Sequence, residues 1–432
     1  DARIVVLDGA MGTQLQARNL TADDFGGDAL EGCNENLNLT RPDVLRDIHR
    51  AYFEAGADMV ETNTFGSASL VLAEYGLAGK AHEITLAGAR LAREAAEALA
   101  TPSRPRFVAG SMGPTTKAIT VTGGVTFQQL VDTFREQAFS LAEGGVDTLL
   151  LETCQDTRNI KAALIGIGEA FDRLGYRLPV MVSGTIEPFG AMLAGQTADA
   201  LTASLGHADL LSIGLNCATG PEFMTDHIRT IHEMAETLVS CYPNAGLPDA
   251  ETNTYGETPA SLAASLERFV RNGWLNIIGG CCGTTPEHIR AISQMVDGRE
   301  PRRHRARRRS WYSGIELVEA ADDNRPLLVG ERTNEVGSRA FKRLIVEEKF
   351  EEASEIGRRQ VKNGAHILDI NLENPDRDEL ADIDSFYSQI IHKVKVPLMI
   401  DTTSAAAVER ALTYCLGKSI VNSINFEEGE ER

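Results

Sequence analysis

Three cysteines carry the spacing of a metal site. Cys217 follows Asn216 at the end of one apolar run, and Cys281 and Cys282 stand together in Gly279-Gly280-Cys281-Cys282-Gly283 at the end of another. If a fold brings both run ends to one rim, three thiolates converge on a zinc ion and leave its fourth position open, the pattern of a catalytic zinc. Successive residues of a strand point to opposite faces. Both vicinal cysteines can therefore ligate only where the chain has left its strand, a turn that the flanking glycines permit. Zinc held by three thiolates has a formal charge of −1, which suits it poorly to activating water and well to holding a substrate thiol as thiolate. The predicted substrate is a thiol that acts as nucleophile. Asp8 and Glu152, at two further run ends, would be partners for a substrate ammonium, and the turn holding Gly9 offers backbone N–H groups to a carboxylate. The plainer alternatives are inert packing thiols and, for the two acids, helix caps or structural ion pairs. Cys33, Cys154, Cys241 and Cys415 have no such companions and read as packing residues.

Positioning these residues needs a particular frame. One pattern recurs: a helical stretch ends in Gly, an apolar run follows, and a polar group closes it, as in AYFEAGADMVETN (51–63), FSLAEGGVDTLLLET (139–153), FVRNGWLNIIGGCC (269–282) and QVKNGAHILDIN (360–371). Gly suits a helix C-terminus, and short apolar runs suit parallel strands buried on both faces. Eight strand candidates precede residue 297: Ile4–Leu7, Met59–Thr62, Phe107–Ser111, Thr148–Leu151, Val180–Ser183, Leu210–Leu215, Leu238–Cys241 and Leu275–Ile278. Alternating with helices, they predict an α/β fold, a (β/α)8 TIM barrel whose site lies at the C-terminal strand ends. A doubly wound open sheet is the competing frame, but no G-x-G-x-x-G follows the first candidate. Residues 1–297 form the first expected domain. Residues 298–325 are Arg-rich and read as an interdomain linker or an electrostatic contact. After Pro326 the same grammar restarts with Leu327–Val329, Ile367–Ile370, Leu398–Ile400 and Ile420–Asn422, so 326–432 reads as the first half of a second, incomplete (β/α)8-type barrel. Half a barrel leaves raw sheet edges, and the natural polypeptide is expected to continue past Arg432.

Acidic residues outnumber basic ones by 62 to 42, which argues against nucleic acid or an anionic membrane as partner. No run is apolar and long enough to span a bilayer. Seven cysteines without a disulfide framework, and no signal-peptide pattern, suggest a cytoplasmic protein.

Asp8-Gly-Ala-Met-Gly-Thr, Asn63-Thr-Phe-Gly, Asn216-Cys217 and Gly-Gly-Cys-Cys-Gly-Thr resemble the homocysteine S-methyltransferase family over about residues 3–296. The resemblance implies Zn2+ on Cys217, Cys281 and Cys282, the homocysteine amino group at Asp8 and Glu152, and further substrate contacts from Gly9, Ser111 and Asn216. Glu331-Arg-Thr-Asn334, Leu368-Asp-Ile-Asn371, Met399-Ile-Asp401-Thr and Ile420-Val-Asn422-Ser resemble the pterin-binding barrels of dihydropteroate synthases and corrinoid methyltransferases. By that resemblance Glu331, Asp369, Asn371, Asp401 and Asn422 hold a pterin, whose edge needs the paired donors and acceptors that Asp and Asn supply. The order of the two barrels resembles the front of the cobalamin-dependent methionine synthase family. That implies homocysteine thiolate taking a methyl group from methylcobalamin, and 5-methyltetrahydrofolate re-methylating cob(I)alamin. The chain has no cobalamin-binding Asp-x-His-x-x-Gly motif, so cobalamin-binding and activation domains of the same natural polypeptide are the expected partners. Two other readings stay open: a homocysteine methyltransferase that uses betaine or S-methylmethionine without cobalamin, and a non-catalytic zinc- and pterin-binding scaffold.

Overall fold

A computed structural model describes residues 3–249, 251, 254–303 and 309–423. The chain divides into two compact units, Asp1–Ala194 with Ala208–Ala306, and Gly195–His207 with Arg307–Arg432.

In the first unit the apolar runs form eight parallel strands: β1 (Val5–Val6), β2 (Met59–Glu61), β3 (Phe107–Met112), β4 (Thr148–Cys154), β5 (Val180–Gly184), β6 (Ser212–Asn216), β7 (Leu238–Tyr242) and β8 (Ile277–Ile278). Their order is β1-β8-β7-β6-β5-β4-β3-β2, and a parallel bridge from Leu7 to Met59 closes the ring. Closure is thinnest at this seam. β1 and β8 pair over two residues, Val5 with Ile277 and Val6 with Ile278, whereas β6 and β7 pair over five. The bore is packed by Leu7, Met59, Ala109, Leu150, Met181, Tyr242 and Ile277, one side chain from almost every strand or its end. This is the filled interior of a (β/α)8 barrel rather than a pore.

A helix follows each strand: α1 (Pro42–Ala55), α2 (Ala81–Leu99), α3 (Phe127–Glu143), α4 (Thr157–Leu174), α5 (Ala198–Leu205), α6 (Pro221–Met234), α7 (Pro259–Arg271) and α8 (Pro286–Val296). Their punctuation is local. Pro opens α1, α6, α7 and α8, where its missing N–H costs nothing. A reciprocal Thr126–Gln129 capping box starts α3. The recurring pre-strand glycines adopt left-handed backbone: Gly56 at φ 118°, Gly145 at 85°, Gly273 at 65° and Gly364 at 100°. The helix α5 groups with the second unit, which the strand–helix alternation did not foretell. Seven of its eight residues are buried, so it lacks the single apolar stripe of a helix lying on one surface.

The second unit pairs β9 (Trp311–Ser313) antiparallel with β10 (Leu317–Glu319), so part of the expected linker is a hairpin. Its main sheet is parallel, β11 (Val329–Asn334), β12 (Ile367–Asn371), β13 (Leu398–Asp401) and β14 (Ile420–Asn422), in that order. The helices α9 (Arg339–Val346), α10 (Phe350–Lys362), α11 (Glu379–Ile390) and α12 (Ala405–Leu412) alternate with it. Phe341 and Phe386 meet edge to face at 5.2 Å in its core. The first strand runs later than its apolar residues suggested: Leu328 is exposed, and pairing with β12 continues through the polar Thr333 and Asn334 after a bulge. Among the described residues no helix is long and apolar enough to cross a membrane.

Candidate metal centre

The barrel brings the ends of β6 and β8 together at its C-terminal rim. The Sγ atoms of Cys217, Cys281 and Cys282 all lie within 4.8 Å of one another, and those of Cys217 and Cys282 are 3.8 Å apart. Tetrahedral zinc with Zn–S bonds near 2.3 Å requires an S···S separation of about 3.8 Å. Both the donor set and its spacing therefore fit zinc. Among the described residues no fourth His, Cys, Asp or Glu joins the group.

The backbone that aims these sulfurs is unusual. Cys217 and Ala218 have φ of 60° and 55° just past β6, and Thr153 in β4 has 54°. Such conformations are costly without glycine and persist where neighbours over-determine them. Asn216, fully buried, supplies that determination. Its Oδ1 accepts from the Thr153 backbone N–H at 2.9 Å and from Ser183 Oγ at 2.7 Å. Its Nδ2 donates to Thr153 Oγ1 at 2.8 Å and to Cys281 Sγ at 3.8 Å. Asn216 thus serves the centre as a positioning residue.

Cys281 and Cys282 lie beyond β8 in irregular backbone. The Cys281 N–H donates to the Pro243 carbonyl at 2.8 Å, and the Cys282 N–H to Asn244 Oδ1 at 3.1 Å. Thr284 closes the turn by donating its hydroxyl to the Cys281 carbonyl at 2.6 Å while accepting from the Ala10 N–H. A side chain at Gly9 would meet Thr284 Oγ1 at 2.7 Å and the Tyr52 ring at 3.0 Å. Gly9 is therefore the residue that lets the β1 loop lie against the cysteine turn. Hydrogen bonds from Cys217 and Cys281 hold the Cys282 thiol well below the usual range, and hydrogen bonds to Cys217 and Cys282 push Cys281 up.

Two expected acids sit at the same rim. Asp8 is 2% exposed, and its carboxylate accepts from the Glu61 backbone N–H at 3.1 and 3.2 Å. Burial, with repulsion from Glu152, raises its pKa far above the carboxylate range. Burial likewise pushes Glu152 up to about 7, although it accepts a hydrogen bond from Ser111 Oγ. Glu61 joins them and was not foreseen. Burial and the charges of Glu152 and Asp8 raise it well above its ordinary value. The available signal was its place beside Thr62 at the end of a strand candidate.

In the second unit, Asp369, Asn371 and Asp401 meet around a residue outside the expected set, Asn334. Its Nδ2 donates to Asp369 Oδ2 and Asp401 Oδ2, each at 3.0 Å, and Asn371 Nδ2 reaches Asp401 Oδ2 at 3.3 Å. Burial first, then the charges of Asp401 and Glu331, raises Asp369 to about 6. Glu331 is exposed on β11, and Asn422 is exposed on β14 in register with Asp401.

Comparison with known proteins agrees with this anatomy. Residues 330–432 match the model for pterin-binding enzymes. Methionine synthase of Mycobacterium tuberculosis is 42% identical over 431 residues, and that of Mycobacterium leprae 41% over 436. Each alignment covers 99% of this chain and 36% of the relative, so the chain spans about a third of the length of the curated relatives it matches. The fold resembles the homocysteine methyltransferase MmuM from Escherichia coli in its oxidised and metallated forms, each with a TM-score of 0.54, at 24% and 23% identity. These cover 67% and 68% of this chain and 95% and 96% of that one. The homocysteine S-methyltransferase model matches residues 5–296, the whole barrel with its three rim cysteines, and the chain belongs to the homocysteine S-methyltransferase family.

Proposed function

We propose that the first unit binds zinc on Cys217, Cys281 and Cys282 and methylates homocysteine, and that the second binds 5-methyltetrahydrofolate. The observation that carries the reading is the grouping of three sulfurs at zinc-compatible spacing beside the buried carboxylates of Asp8 and Glu152. Zinc supplies a ligand position for the substrate sulfur and keeps that sulfur a thiolate at neutral pH. The remaining work falls to the chain. Asp8 and Glu152 take the α-ammonium, Ser111 orients Glu152 by its hydroxyl, and Asn216 fixes the turn that aims Cys217 and Cys281. Methylcobalamin, held by a further domain of the natural polypeptide, would supply the methyl group that the homocysteine sulfur accepts to become methionine. In the second unit Asn334, Asp369, Asn371 and Asp401 offer the polar cluster for the folate's pterin edge, with Glu331 and Asn422 at its margins, and methyltetrahydrofolate held there would supply the methyl group that the corrinoid carries. Seven free cysteines suit a reducing cytoplasm. The test is methyl transfer by the zinc-loaded chain from free methylcobalamin to L-homocysteine, with betaine as rival donor. Turnover with methylcobalamin, lost together with zinc in Cys281→Ala, is expected. Turnover with betaine instead, or a Cys281→Ala protein that keeps both zinc and activity, overturns the reading.

A further inference from the structure

The acids at the rim come from three strands: Asp8 follows β1, Glu61 ends its neighbour β2 and Glu152 lies in β4. The charges these carboxyls feel most are negative. Asp8 feels Glu152, Glu61 feels Glu152 and Asp8, and Glu152 feels Cys282. Two of the three already have polar partners. The Asp8 carboxylate takes the Glu61 N–H, and Glu152 takes the Ser111 hydroxyl. Glu61 differs, since its Oε1 is buried and has no hydrogen-bond partner. At the end of β7 the Tyr242 hydroxyl is also buried, beside Ser183, in a residue that is 1% exposed and that feels the charges of both Glu152 and Glu61. Glu61 stands two residues after Met59, which packs the bore together with Tyr242, so strand alternation turns it to the same side. Its unpaired buried oxygen is costly to leave unsatisfied, and a cationic donor beside it removes that cost.

We infer that Glu61, with Tyr242 opposite, completes a three-carboxylate socket for the α-ammonium of the thiol substrate and sets the preference for an amino acid over an amine-free thiol. The inference rests on the reading of this rim as a homocysteine site. It assigns Glu61 as a binding residue and Tyr242 as the hydroxyl that lines the socket. A compact cation with three N–H donors meets one oxygen from each of several surrounding acceptors, which an amine-free thiol carboxylate cannot do. The isosteric change Glu61→Gln keeps the backbone N–H that holds Asp8 and removes the group that can become an anion opposite a bound ammonium, so it separates recognition from folding.

The experiment is calorimetric binding of L-homocysteine and of its amine-free analogue 4-sulfanylbutanoate to the zinc-loaded chain, for the wild type, Glu61→Gln and Tyr242→Phe. Zinc content and circular dichroism are recorded for each. The wild type should bind homocysteine more tightly than the analogue. Glu61→Gln should weaken homocysteine about ten- to hundredfold, as expected for losing a hydrogen bond to a charged group, and leave the analogue within about threefold. Tyr242→Phe should change the same ratio by a smaller factor. An unchanged ratio in Glu61→Gln overturns the proposal. So does equal weakening of both ligands, which marks a structural role. If the wild type binds the analogue as tightly as homocysteine, the socket is refuted while the thiol site stands. If it binds neither thiol, the homocysteine reading itself fails and takes the socket with it.

Discussion

Replacing Asn216 by Ala tests the claim that one buried amide holds the metal-side turns in place. The side chain makes three short hydrogen bonds, at 2.9, 2.7 and 2.8 Å, and a longer one to Cys281 Sγ at 3.8 Å. Each short bond is worth about 1 kcal/mol net, and partners left buried and unpaired add a desolvation penalty of about 1–3 kcal/mol. The Thr153 N–H is the critical one, because it belongs to a left-handed residue inside a strand. The summed expectation is a loss of about 3–5 kcal/mol, a large share of the roughly 5–15 kcal/mol typical of a domain. The assay is urea unfolding followed by fluorescence. The chain has two tryptophans, so a Trp311→Phe background leaves Trp274 to report the first unit. Zinc affinity, measured by chelator competition, should fall about ten- to hundredfold, as for other outer-shell partners of metal ligands. An Asn216→Ala protein that unfolds within about 1 kcal/mol of its parent and holds zinc as tightly would refute the positioning argument.

Other outcomes follow from the same geometry. Cys282→Ala should take bound zinc from one ion per chain to nearly none by elemental analysis, because two thiolates do not complete a zinc shell. Asp369 is normally near 3.8 and is raised to about 6 when folded. The folded state therefore holds its proton more tightly, and stability is lost as pH rises from about 4 to about 6. Asp369→Asn should stabilise the second unit above pH 6 by up to about 3 kcal/mol and leave it unchanged near pH 4, as read by denaturant titrations at both values. Arg302 is 5% exposed, and its guanidinium donates to the carbonyls of Thr237, His232 and Ala235 at 2.8, 3.0 and 2.6 Å. Arg302→Ala strands those acceptors at the end of α6 and should cost about 2–4 kcal/mol in thermal or chemical unfolding.

The barrel was legible because its determinants are local. Buried parallel strands read as apolar runs, and the glycine before each run marks the end of a helix. The three rim cysteines could be picked out because vicinal cysteines among glycines have few structural uses. What stayed hidden depends on contacts through space. Glu61 looks like any charged residue closing a strand until the Asp8 carboxylate is seen to rest on its N–H. Asn334 lies in a polar run, Glu331 to Asn334, that carries no strand signature, yet it bonds two of the expected acids. Arg302 looked like part of a solvated basic stretch, and its burial depends on where α6 ends. Residues 304–308 of that stretch lie outside the described residues.

The uneven closure of the ring divides the rim by compliance. Asn216, Cys217 and Glu152 stand on or directly beside strands laced to their neighbours over several residues. Asp8, Gly9, Cys281 and Cys282 flank the seam, where two-residue pairings hold the circle shut. Amide hydrogens at the seam should exchange sooner than those of β4 to β6. A substrate that needs its two anchors to shift has one side that yields and another that keeps the alignment.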